Sequence, residues 1–170
     1  RGQDDVYQFK SNALVNVVRY MAHISDSDES EVPQIVREYH YRVAQSLIKK
    51  MDDHNLDVST VNDQDLFILA RRSWAAGDRI MKDALGYNLE ALYRTFKLSR
   101  FEESVIYGYN ILDITEKINI ADRIVEILKV HLLLAQAKII IDDLPEEIDK
   151  VIENAKALIK GHEFPDKNNW

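Results

Sequence analysis

The chain has 170 residues, with 22 Lys plus Arg, 29 Asp plus Glu, five Gly, three Pro and no Cys. So few turn-formers cannot serve a sandwich or barrel, which reverses about every ten residues. The lack of Cys removes thiol nucleophiles, disulfides and Cys-ligated zinc. A net charge of −7 argues against a nucleic-acid partner, because phosphate binding needs a cationic footprint. The length suits a single domain, residues 1–170, that buries about 70% of its unfolded surface. No apolar run reaches the roughly 18 residues of a membrane span. The longest candidate, Ile124 to Ile141, is broken by Glu126, Lys129, His131, Gln136 and Lys138. No signal-peptide pattern and no Asn-x-Ser/Thr site occur, and with no Cys these features point to the cytoplasm.

Apolar residues recur at three and four along most of the chain, which predicts an all-α fold of about seven antiparallel helices. The first covers about Val6–Ile24, with Leu14, Val17, Val18, Met21 and Ile24 on one face. An acidic loop, Ser25–Glu31, follows, and Pro33 opens the second helix. That helix runs to about Asp53. The loop His54–Asn62 ends in an N-cap, Asn62, with Asp63 and Asp65 in the first turn where the helix dipole favours acids. The third helix is expected to run to Leu85 and stop at Gly86. A short fourth helix, about Asn88–Leu98, leads to Ser99-Arg100-Phe101-Glu102, which reads as a capping box opening a fifth helix to about Ile118. The sixth spans about Ala121–Ile141. It is apolar around most of its circumference, so it is expected to be central and covered on several sides. Pro145, Glu146 and Glu147 start the seventh, and Gly161 stops it. Gly77 and Gly108 fall inside the expected helices, where close helix contact would explain them.

The second half reads as two helical hairpins whose second helices open alike, Phe101-Glu102-Glu103-Ser104 and Pro145-Glu146-Glu147-Ile148. Ser104 and Ile148 are 44 residues apart. The stretch LEALYRTFKLSRFEESVIYGYNIL resembles a tetratricopeptide repeat of the extended-helix kind found in bacterial signalling proteins. Leu98 to Ser104 stands where that family has its small turn residue, aromatic and small second-helix residue, and Ala155 matches a late small position. Ser99 stands for the usual Gly, Ile148 for the usual Ala and Gly108 for a usual aromatic. The resemblance covers about residues 88–160. It divides the chain into N-terminal helices (1–87), two repeat-like hairpins (88–160) and a tail (161–170). A plain helical bundle is the other architecture the pattern allows. The resemblance implies a regulatory or scaffold module that binds a protein or peptide, as part of a larger protein, and implies no catalysis or cofactor.

Arg71, Arg72, Arg79 and Lys82 form the one local basic concentration. Arg72 and Arg79, seven apart, share a helix face, and this is the best polar candidate for docking an acidic peptide or phosphate. With the first helices of successive hairpins forming a groove, the partner-binding set is Arg71, Arg72, Arg79, Tyr93, Arg94 and Lys97. His40 and His131 sit on apolar stripes. Each reads as a buried His holding one local partner or as part of a pocket in a small-molecule sensor, the alternative function. No His precedes Asp, no Glu lies three before a His, and no Gly-rich phosphate loop, Ser elbow or zinc-protease motif occurs. An enzyme, a metal or another cofactor therefore gains no support, and a homo-oligomer stays open.

Overall fold

A computed structural model describes residues 34–118, 121–142 and 144–161. It contains six α-helices: α1 Gln34–Asp53, α2 Asp63–Ala75, α3 Met81–Lys97, α4 Phe101–Lys117, α5 Ile124–Ile140 and α6 Pro145–Lys160. Short 3-10 turns, Gly77–Ile80 and Ala121–Arg123, precede α3 and α5. No strand occurs among the described residues, so the fold is all-α. The expected helix Val6–Ile24, the acidic loop Ser25–Glu31, Pro33 and tail residues 162–170 lie outside the described residues. No described helix is long and apolar enough to cross a membrane.

Each helix packs on the next one in sequence, and α2 also touches α4 while α3 touches α5. The short links between α3 and α4 and between α5 and α6 make those neighbours antiparallel. The result is three successive hairpins in which α2 lies beside α4 and α3 beside α5. Leu66, Leu69, Leu85, Leu92, Tyr107, Ile111, Ile114 and Ile127 fill the main core. A small second cluster holds Leu134, Ala135 and Val151. Val151 is the one described residue of α6 that is buried.

Several helix ends fall where the sequence places them. Asn62 caps α2, its side-chain oxygen accepting from the Asp65 amide at 2.9 Å. The second helices of the last two hairpins open at Phe101 and Pro145, and Gly161 follows α6. Three expectations fail. The third helix does not continue to Gly86: it ends at Ala75, and Gly77 takes φ +72°, a left-handed conformation that a β-carbon resists. Gly86 lies inside α3 instead. The reason lies in burial on both sides of the break, since Ile80, Met81, Ala84 and Leu85 keep the helical apolar spacing through it.

The second failure is at Ser99, which does not cap α4; no side chain caps that helix. Ser99 instead terminates α3 at φ +58°. The Ser99 amide donates to Phe96 O at 3.0 Å and the Arg100 amide to Thr95 O at 2.8 Å, the paired bonds of a Schellman ending. Asn55 closes α1 in the same way, at φ +50°. The third failure is α5. It packs mainly on α4 and α6, and Val125, Leu132 and Ile139, seven residues apart, are exposed along its outer face. Its apolar circumference exceeds what its two neighbours cover.

A buried polar chain ties α2, α3 and α4. Asn88 on α3, fully buried, donates to Ala70 O on α2 at 3.0 Å and to Ala84 O at 2.8 Å. Its oxygen accepts from Asn110 Nδ2 on α4 at 3.0 Å. Between α3 and α4, Ser104 Oγ donates to Thr95 Oγ1 or Arg100 O, both at 3.0 Å. Between α4 and α5 the helices are close at Gly108, where a β-carbon would lie 3.1 Å from Leu134 Cδ1.

These contacts order the effects of substitution. In chemical denaturation, Gly86→Ala should stabilise by about 0.5–1 kcal/mol, because nothing lies within 4 Å of its β-carbon position. Ser99→Gly should stabilise by about 1 kcal/mol by removing a left-handed penalty. Gly108→Val should destabilise by about 1–3 kcal/mol through overpacking on Leu134. Asn88→Leu should cost about 2–3 kcal/mol, since it orphans the Asn110 amide in the core.

Candidate functional site

A groove of about 870 Å³ lies along α2 and α4. Phe67, Ile68 and Trp74 from α2 and Ile106 from α4 form its apolar wall, with His40 of α1 at one side. Ile68, Trp74 and Ile106 are 37%, 39% and 47% exposed, high for large apolar side chains. Arg71, Arg72 and Arg100 supply positive charge, against Asp63 and Glu103 in the same lining. The groove lies on α2 and α4 because their buried stripes face inward. In α2 those residues are Leu66, Leu69, Ala70 and Ser73, which leaves Ile68, Arg71 and Arg72 on the outer side.

The guanidiniums are held in place by stacking and pairing. Arg100 lies over the Phe67 ring at 5.0 Å and Arg71 over Tyr107 at 5.8 Å. Both pair with Glu103, Arg71 at 3.7 Å and Arg100 more closely. Arg72 stacks on Tyr39 at 5.6 Å and donates to His40 Nδ1 at 3.0 Å. That bond requires a lone pair on Nδ1, hence a neutral imidazole. Among the described residues Arg72 pairs with no carboxylate. Trp74 is fixed at the groove's end by its indole N–H, which donates to Asp113 Oδ2 at 2.8 Å.

The six expected partner-binding residues do not share one surface. Arg71 and Arg72 line the α2–α4 groove. Arg79, in the 3-10 turn, pairs with Glu38 and stacks on Tyr41 at 5.2 Å. Tyr93, Arg94 and Lys97 line a separate depression of about 420 Å³ with Ser59, Asp63, Glu90 and Leu98. Arg94 is committed to the fold: it donates to Val58 O at 2.9 Å and Val61 O at 2.6 Å and pairs with Asp63 and Glu90. Its side chain is only 18% exposed. The groove thus forms from second helices of hairpins, not from first helices as the repeat pattern suggests. Trp74, Arg100, Ile68 and Ile106 were not singled out in the sequence. The available signal was an apolar residue off the buried stripe, at Ile68 in α2 and Ile106 in α4.

His40 reaches the groove, and His131 lies on α5 among buried residues. Among the described residues, His131 Nδ1 is buried with no hydrogen-bond partner. Burial pushes both imidazoles below their ordinary range, with the Arg72 charge adding to the effect at His40. Among the described residues no group of three or more His, Asp and Glu is placed to hold a metal ion. No protein-family model, no curated protein and no solved structure matches the chain.

The two depressed histidines set a pH response. The unfolded chain binds their protons near pH 6.5, while the folded chain resists them. Their stabilising effect is complete above about pH 6.5 and is lost as pH falls through the folded values. The melting temperature should therefore fall between pH 7 and 5, above the range where Glu38 and Asp65, both held low by their partners, are protonated. The His40→Gln/His131→Gln variant should show a flatter profile over that interval.

Proposed function

We propose that the chain is a helical scaffold that receives a segment of a partner protein in the α2–α4 groove. The observation that supports this is the composition of the groove: three stacked guanidiniums beside half-buried Phe67 and the exposed Ile68, Trp74 and Ile106. Exposed apolar surface bordered by fixed cations suits a segment combining Asp or Glu with large apolar side chains. Stacking keeps the guanidiniums in position, which lowers the entropy lost on binding. The sequence resemblance over about residues 88–160 supports reading the module as tetratricopeptide-like and regulatory. The lack of Cys and of a signal-peptide pattern supports a cytoplasmic protein. The small-molecule alternative has one observation in its favour, the presence of His40 in the groove. The arginine border and the exposed wall suit a peptide better than an enclosed apolar ligand.

The test uses a peptide array that pairs acidic with Leu, Ile or Phe positions. Hits are titrated against the Trp170→Phe chain, which keeps Trp74 as its one indole. Arg71→Ala/Arg100→Ala should weaken a hit by about tenfold, an effect that shrinks in high salt. Lys97→Ala, in the other depression, should leave affinity unchanged. Equal affinity in the groove variant would refute this location.

A further inference from the structure

One end of the groove lies near the start of α1. The Arg37 side chain is 3.9 Å from the point a β-carbon on Gly77 would occupy, and Glu38 pairs with Arg79. The start of α1 therefore lies beside the turn that follows Trp74 and Ala75, the residues at the end of the groove. His40, already inside the groove, is six residues, or about 9 Å of helix, from Gln34. The sequence just before Gln34 is strongly acidic: Asp26, Asp28, Glu29 and Glu31 fall within seven residues. These acids are three to eight residues from Gln34, a reach of about 10–28 Å for extended chain. Met21 and Ile24 come directly before them.

We propose that the acidic segment 25–31 occupies the α2–α4 groove of its own chain, pairing with Arg71, Arg72 and Arg100. Met21 and Ile24 then supply apolar contact for Trp74 and Ile106. This is a statement about the regulation of the same groove and rests on its reading as a binding site. Charge complementarity and reach favour this occupant over a segment from elsewhere. Arg72 carries most of the argument, because its partners in the fold are a neutral imidazole and an aromatic ring. The segment would act as a competitor in cis, so an outside peptide would meet the groove only in the fraction of molecules where it is vacant.

The absence of Cys makes a single label specific. A nitroxide is attached to the full chain at Ser27→Cys, and amide signals of Ile68, Arg72 and Ile106 are followed. Expected is broadening at low salt that is independent of protein concentration. It should disappear in high salt and in Asp26→Asn/Asp28→Asn/Glu29→Gln/Glu31→Gln, with helical circular dichroism unchanged. In parallel, the array hit is titrated against the chain with and without those four neutralising changes. An occupancy of about nine-tenths predicts about tenfold tighter binding to the neutralised chain. Broadening equal to that from a label at the exposed Asn154→Cys would overturn the proposal. So would broadening that grows with concentration, which would mean pairing between two copies. If no peptide binds either chain while the broadening persists, the partner reading fails and the cis contact stands. Equal peptide affinity for both chains without broadening leaves the partner reading intact and removes the cis contact.

Discussion

The buried amide of Asn88 is the constraint on which the arrangement of the first two hairpins depends. It joins α2, α3 and α4 in one hydrogen-bonded unit, through Ala70 O on one side and the Asn110 amide on the other. Apolar packing alone allows helices to slide by a turn with little change in buried area. A fully buried amide does not, because each alternative register leaves a donor or acceptor orphaned in the core. The groove inherits that fixed register. Asn110 lies along it, and the opposition of Phe67, Ile68 and Trp74 to Ile106 is set by how α2 sits against α4.

Local chemistry made much of the helical order legible. Asn62 with Asp63 and Asp65, the Phe101-Glu102-Glu103 opening and Pro145 each carry a cap or dipole signal, and each falls at an observed start. The break at Gly77 was not legible, because the apolar spacing runs through it and a helix-interior Gly looks the same as a turn Gly. Ser99 misled for a related reason. Ser-x-x-Glu fits a start, yet the residue serves the end of the preceding helix, where a left-handed conformation is needed. The fold of α5 shows the limit of counting apolar faces: the number of neighbours is a property of the array, not of the helix.

The groove was half visible. Arg71 and Arg72 stand out by charge alone. Arg100, Ile106 and Asn110 reach them from 28 to 39 residues away, a distance that no local pattern spans. Arg94 shows the opposite error. It reads as an exposed cation, but the loop before α2 turns two carbonyls, Val58 and Val61, toward it. Its charge closes that loop. Loop backbone needs are set by tertiary placement, and a linear reading does not contain them.

The thin attachment of α6 has a dynamic consequence. In a linear array each hairpin is held by its own packing and by its neighbours, and among the described residues α6 packs on α5 alone. In α6 only Val151 is fully buried, whereas eight residues of α3 are. Amide hydrogens of α6 are therefore set to exchange with solvent through openings that cost far less than global unfolding, while those around Asn88 wait for the whole core. The molecule is graded from a rigid middle to a yielding edge, and its groove lies in the rigid part.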